Sequence, residues 1–338
     1  MSKKSQKKVI TTGVIGYGGA FNMGMHHLNE MAKVSGLVPT AICDIDPERA
    51  KQAKEDFPKL EVYTDVKKML KESPVELLTV ITPHSTHAPL AIQCLKAGRH
   101  AITEKPMAVS VKQCDAMIAT AKKSRKMVAT YHNRHWDANI LGITRLVRSG
   151  VIGDVFRVEF VSGGYHKPGE WWRSFKEMSG GNMFDWGAHN MEWILQVVDQ
   201  PMADISGYFQ NRVWDHVTNE DEGIAVVRFK NGAVARLVMS SISAGDANGF
   251  RIMGTKGSII QEEGGSRVTK VTRTGKTSEK YYPFPKSQHY KFYRNIRDHL
   301  LDGVPLIVTP EWARRVIQVF DYASISHQKG RSIPAKYE

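Results

Sequence analysis

Three polar side chains are of the types that move a proton: Lys105 in Glu104-Lys105-Pro106, and Asp185 and His189 in GGNMFDWGAHN. An amine whose proton is loosened by desolvation can serve as acid or base, or polarise a hydroxyl. An imidazole does the same near neutral pH. A carboxylate four residues before it on a helix shares its face and can orient it, tune its charge or bind another hydroxyl. The set therefore points to proton transfer at a hydroxyl-bearing carbon. Trp171 and Trp172 offer aromatic faces to ring C–H groups, and Arg173 and Arg134 offer guanidinium groups to hydroxyls or a carboxylate. Asn133 and Arg134 follow an apolar strand and can touch a bound ring. His84 with His87, and His132 with His135, are spaced like metal pairs. Neither comes with a Cys or carboxylate set at ligand spacing, so no metal is expected.

Residues 8–15 (KVITTGVI) read as a short buried strand that runs into VIGYGGAFNMG. Gly16 and Gly18 provide a tight turn whose backbone N–H groups can approach a pyrophosphate, and the next helix adds a favourable dipole. Phe21 stands where the G-x-G-x-x-G fingerprint has its third glycine. Asn22 follows it, and Gly24 suggests a lengthened turn. Asp44, ending the second strand, can accept both ribose hydroxyls of an adenosine and would repel a 2′-phosphate, which favours NAD over NADP.

Strand and helix then alternate. Asp46-Pro47 opens a helix as N-cap and first position. Residues 61–63 are a strand, and Thr64 is the expected cap of VKKMLKE. PVELLTVIT, HAIT and MVATY are further strands, and the intervening helices include one closed by Gly98. Six short strands joined by helices make a doubly wound parallel sheet. In such a sheet ligands bind beyond the carboxyl ends of the strands. That rule places Thr82, Pro83, His84 and His87 after the fourth strand, Glu104 and Lys105 after the fifth, and Asn133 after the sixth at a cofactor. Pro106 makes a cis bond conceivable.

After residue 132 the texture changes. A helical stretch leads to longer strands in DVFRVEFVSG, ADISGYFQNR, EGIAVVRFK and AVARLVMSSIS, with Asn231-Gly232 as a hairpin signal. Shorter strands follow near 250–283, and then a helical C-terminus. The expected class is α/β: a dinucleotide-binding domain over 1–132, and an α/β domain with an open, mostly antiparallel sheet over 133–338. The closing helices are free to pack back on the first. GGNMFDWGAHNMEWILQVV reads as a turn followed by a helix that buries Met183, Trp186, Ile194 and Leu195.

Glu104-Lys105-Pro106, TPHSTH and GGNMFDWGAHN, in this order and spacing, resemble the Gfo/Idh/MocA family (glucose–fructose oxidoreductase, inositol dehydrogenase and relatives). The likeness extends to the closing FYRNIRDHLLDGVPLIVTPEWARRVIQVF. It implies that Lys105 is the catalytic lysine and that Asp185 and His189 belong to a D-x-G-x-H motif. It also implies oligomers, dimers or tetramers, built through the second sheet. Phe21 departs from the family's fingerprint, and Asn182 replaces a common third glycine. The activity implied is hydride transfer between NAD(P) and a secondary hydroxyl of a sugar, inositol or related polyol. Lys105 and His189 would then meet across the nicotinamide, with Arg134, Trp172, Arg173, Asp185 and His189 holding substrate. Two alternatives are a redox-neutral enzyme that recycles tightly held NAD on glycosides, and a non-catalytic NAD-binding regulator.

Bulk properties narrow the classes. With 338 residues, 41% hydrophobic and 24% charged, the chain suits two globular domains rather than disorder. The net charge of +13 includes four lysines in the basic start MSKKSQKK, and the rest are scattered. With no Arg-rich helix or aromatic RNA-binding signature, nucleic acid is not an expected partner. No apolar run nears the ~20 residues of a bilayer span, and the start lacks the apolar core of a secretory signal, so a cytoplasmic protein without a membrane partner is expected. Cys43, Cys94 and Cys114, odd in number and without a C-x-x-C pair, read as reduced core thiols.

Overall fold

A computed structural model describes residues 9–19 and 21–338. The basic start, the first residue of the expected opening strand and Ala20 lie outside the described residues. The chain divides into two compact units. One takes the described residues up to Ala108, Lys112–His132 and Tyr290–Glu311; the other takes Val109–Val111, Asn133–His289 and Trp312–Glu338.

In the first unit β1 (Ile10–Ile15), α1 (Met23–Ala32), β2 (Leu37–Cys43), α2 (Pro47–Asp56), β3 (Glu61–Tyr63), α3 (Val66–Glu72), β4 (Leu77–Val80), α4 (His84–Lys96), β5 (His100–Thr103), α5 (Val111–Ser124) and β6 (Val128–Thr130) alternate. The strands form one parallel sheet in the order β3-β2-β1-β4-β5-β6. This is the doubly wound arrangement the alternation predicts. Its central strands are apolar throughout because both faces are covered: Leu77, Leu78 and Val80 are fully buried. Asp46 caps α2 by accepting the Glu48 N–H, with Pro47 in the first turn. The cap of α3 is Asp65 rather than Thr64: its carboxylate accepts the Lys68 N–H at 2.7 Å. Cys43, Cys94 and Cys114 are buried and form no disulfide.

His100, at the start of β5, accepts the Met127 N–H on Nδ1 at 2.9 Å. Burial first, then Lys126 and His299 against Glu76, lowers its pKa from 6.5 to about 4. The folded chain keeps this ring neutral where the unfolded chain would protonate it. Its stabilisation is therefore complete above pH 6.5 and lost as pH falls toward about 4. Urea unfolding at pH 7 and pH 4.5 should show a loss on the order of 2 kcal/mol from this partly exposed group. His100→Asn, which does not titrate, should flatten that slope.

The second unit holds α6 (Ala138–Arg148), β7 (Val155–Ser162), α7 (Lys176–Ser179), α8 (Trp186–Val198), β8 (Met202–Gln210), β9 (Glu222–Phe229), β10 (Val234–Ser240), β11 (Gly249–Gly254), β12 (Gly257–Glu262), β13 (Gly265–Val271) and β14 (Thr277–Pro283). Helix α9 (Lys291–Asp302) belongs to the first unit. Helix α10 (Pro310–Lys329) lies mostly in the second, which β15 (Ile333–Pro334) completes. Nine strands make one sheet in the order β14-β13-β12-β11-β7-β10-β9-β8-β15. It is antiparallel except where β10 runs parallel to β7. Asn231-Gly232 turns β9 into β10, with Gly232 at φ 88°. Helix α8 lies against β7 and β10, with Met191, Ile194 and Leu195 fully buried. No helix among the described residues is long and apolar enough to cross a membrane.

Candidate functional site

The turn after β1 is shaped by what its glycines lack. Gly16 has φ +92°, and a Cβ there would run into the Ile81 carbonyl; Gly18 has φ +64°. Helix α1 begins only at Met23, and Asn22 precedes it in a left-handed conformation. A Cβ on Gly24 would lie 2.7 Å from the Tyr17 backbone. Gly24 thus supplies the close helix-to-turn packing that the missing third glycine normally allows. Phe21, 58% exposed, occupies the lengthened part of the turn.

Asp44 is aimed at this turn. Its Oδ2 accepts the N–H groups of Tyr17 at 2.7 Å and Gly18 at 3.0 Å, and Oδ1 accepts that of Asp46 at 3.0 Å. Three of about four lone-pair positions are used, so one remains for an added hydroxyl.

Beyond β4, Thr82 shares a hydrogen bond with Thr86 at 2.6 Å, and Pro83 precedes the first turn of α4. His84 and His87 are buried. The two ring nitrogens of His87 lie 2.7 Å from the Pro106 carbonyl and 2.9 Å from the Thr82 carbonyl. Burial pushes its pKa below the usual value, and the one N–H of the neutral ring donates to one of these two carbonyls. His87 lies between the segments after β4 and β5.

Glu104 and half-buried Lys105 follow β5, and the Lys105–Pro106 bond is cis. Glu104 Oε2 accepts the Lys105 N–H at 2.9 Å, and Oε1 accepts from His27 Nε2 at 3.0 Å. Burial alone would raise the Glu104 carboxyl. The hydrogen bond and charge from His27, together with Lys105, hold it down at about 2. His27 and Tyr293 are not legible in the sequence, since a histidine inside a helix and a tyrosine near the C-terminus carry no motif.

The second unit gathers its own polar and aromatic cluster. Asn133 and Arg134 lie in a 3-10 turn (Asn133–Trp136). Arg134 lies over the Trp186 ring at 4.8 Å and pairs with Asp137 at 3.0 Å. Asp137 also bonds His289. Arg173 sits near both the Trp171 and Trp172 rings, at 5.2 and 5.0 Å, and donates to Asp185 Oδ1 at 2.6 Å. Asp185 does not lie within a continuous helix. A 3-10 turn (Asn182–Phe184) comes first, and Asp185 occupies the N-cap of α8. Trp186 is 47% exposed rather than buried, because the broken helix rotates it away from Met183 and the apolar stripe. Its ring meets the largely buried His189 ring at 5.6 Å.

Glu192, one helical turn beyond His189, is fully buried. Its Oε1 meets His135 Nδ1 at 2.7 Å and accepts from Trp312 Nε1 at 2.9 Å; Gln196 reaches Oε2 at 2.9 Å. Trp193 Nε1 donates to the Arg134 carbonyl at 2.8 Å. Helix α8 thus fixes the turn that carries Asn133 and Arg134. The available signal was the spacing of Asp185, His189 and Glu192 along one stripe. Among the described residues no group of three or more His, Cys, Asp or Glu is placed to hold a metal ion.

Comparison with known proteins matches residues 10–132 to an oxidoreductase family with an NAD-binding Rossmann fold. Residues 140–260 match the GFO/IDH/MocA C-terminal domain. The chain is 24% identical to the scyllo-inositol 2-dehydrogenase (NADP(+)) IolW of Bacillus subtilis, over 98% of each protein. It is 25% identical to the myo-inositol 2-dehydrogenase of Thermotoga maritima, over 88% of this chain and 86% of that protein. An NAD-binding protein from Listeria innocua superposes with a TM-score of 0.86 at 25% identity, covering 97% of each chain.

Proposed function

The chain belongs to the Gfo/Idh/MocA family of NAD-binding oxidoreductases, and from that premise we propose that it oxidises a secondary hydroxyl of an uncharged cyclic polyol or sugar, or runs the reverse reduction. The observation that carries this reading is the pairing of charge in the second unit. Arg173 is matched by Asp185 and Arg134 by Asp137, while Trp171, Trp172 and Trp186 present indole faces. Paired ions beside aromatic rings suit a ring with C–H faces and many hydroxyls.

The turn at Gly16 and Gly18, both at the positive φ that glycine adopts freely, would hold the dinucleotide together with Asp44 and the Thr82–Pro83 segment. When bound, the nicotinamide supplies a hydride acceptor. Lys105 and His189 are the nitrogen bases that take or return the hydroxyl proton, and Asp185, oriented by Arg173, holds a neighbouring hydroxyl. Phe21 and Asn22 would flank the cofactor's phosphates, Glu104 sets the Lys105 backbone, and His84 and His87 would support the cofactor side from within α4. Asn133 and Trp172 would line the reacting ring. A second copy of the chain would pack on the second sheet, on the face that carries Ile224 and the exposed Tyr208 in register.

A panel of inositols, aldoses, glycosides and sugar acids, with NAD⁺ and NADP⁺, tests the proposal by absorbance at 340 nm. Turnover is expected with at least one neutral polyol and NAD⁺. Turnover with sugar acids alone would refute the uncharged-substrate reading. Cofactor retained through purification, with product formed and no net NADH, would move the reading to redox-neutral recycling on glycosides.

A further inference from the structure

We propose that His27 is a positioning residue for Lys105, tying the helix that follows the phosphate-binding turn to the strand end that carries the amine. The proposal rests on the reading of Lys105 as the proton-handling group. His27 lies in α1 and is fully buried. Its Nε2 donates to Glu104 Oε1 at 3.0 Å, while Nδ1 shares a hydrogen bond with the Tyr293 hydroxyl at 2.6 Å. That hydroxyl also meets Thr79 of β4 at 3.3 Å. The other Glu104 oxygen accepts the Lys105 N–H. Each oxygen of the carboxylate therefore has its own anchor, one on α1 and one on the Lys105 backbone.

The neighbouring histidine makes a parallel tie. His26 Nε2 bonds the Tyr131 hydroxyl at 3.1 Å, and the Tyr131 ring packs on His27 with centroids 4.3 Å apart. Tyr131 follows β6 as Glu104 follows β5. Two successive positions of α1 thus hold two strand ends. A buried histidine that only filled space would need neither a carboxylate nor a hydroxyl at its nitrogens. Here both nitrogens are engaged, and the carboxylate partner is adjacent to Lys105. Losing the His27 anchor frees one Glu104 oxygen and with it the peptide that sets the lysine's direction. A misplacement of ~1 Å is enough to cost about 10²-fold in rate.

Two substitutions separate positioning from packing. The His27→Asn amide stands near the Nδ1 position and cannot reach Glu104, whereas the His27→Gln amide N–H reaches the Nε2 position. His27→Asn should lower kcat by about 30- to 100-fold with NAD⁺ affinity, read by fluorescence titration, unchanged. His27→Gln should restore most of that rate. Labelling of Lys105 by a small amine reagent, followed by mass spectrometry, should quicken in His27→Asn and keep its native rate in His27→Gln. Native kcat in His27→Asn overturns the proposal. So does an equal loss in both variants while both still bind NAD⁺. Should His27→Asn fail to fold, His27→Gln decides: native kcat and labelling support the tie, and a low kcat with intact NAD⁺ binding refutes it. Lys105→Ala in the same assay marks the underlying reading. If it turns over normally, that reading fails and this one falls with it. If it is inactive while His27→Asn is normal, only the tie to His27 fails.

Discussion

With Lys105 changed to alanine, kcat on the best polyol of the panel is expected to fall about 10³-fold, inside the ~10²–10⁴ that a positioned acid–base group contributes. The loss should appear in kcat rather than in cofactor affinity. The turn at Gly16 and Gly18 and the Asp44 carboxylate, which hold the dinucleotide in this reading, do not depend on the amine. His189→Ala belongs in the same experiment. Lys105 and His189 are both nitrogen bases, and the variant that lacks the true acceptor should also lose the dependence of kcat on pH. A Lys105→Ala enzyme with native kcat would end the role of Lys105 and leave His189 as the acceptor. The segment offers no second amine, since Glu104 is an acid held ionised.

The second large effect is on stability. Glu192→Ala should destabilise the second unit by about 3–5 kcal/mol, the range for removing one partner from a buried polar cluster. His135, Trp312 and Gln196 all turn toward this carboxyl, and the alanine would leave their donors without the acceptor they share. Glu192→Gln keeps one acceptor oxygen and the side-chain volume, so it should lose less than half as much. Urea unfolding followed by tryptophan fluorescence and far-UV circular dichroism measures both. Equal stabilities for Glu192→Ala and the native chain would show that the buried cluster contributes nothing net. Because Glu192 and Trp193 hold the turn bearing Asn133 and Arg134, substrate KM should rise in the alanine variant even below its unfolding range.

Local chemistry was enough for the first unit. Continuous apolar runs such as those of β4 and β5, the Asp46-Pro47 cap and the glycines after β1 each act over a few residues, and each says the same thing about its neighbours. The shift to longer strands and the Asn231-Gly232 turn did the same for the second sheet. The parallel pairing of β7 with β10 was not legible, because both strands alternate alike whichever way a neighbour runs. The cap of α3 was not legible for a different reason: Thr64 and Asp65 are both good caps, and only the backbone's point of entry into α3 selects Asp65.

Lys105, Asp185 and His189 could be named from order and residue type alone, since a strand end and a short motif are properties of contiguous chain. Their supports could not. His27 and Tyr293 are 266 residues apart and share one hydrogen bond, and no periodicity links them. Trp186 has the composition of a core residue, yet the break at Asp185 turns it outward. Glu192 reads as a charge in an apolar helix until its donors are placed, Gln196 one turn on and His135 and Trp312 from two other stretches. Residue order determined the elements and the cofactor class, because those depend on backbone preferences and side-chain types that act over short spans. Only folding decided which buried polar atoms satisfy one another, because each such atom must find a partner within about 3 Å, and that partner can come from anywhere in the chain.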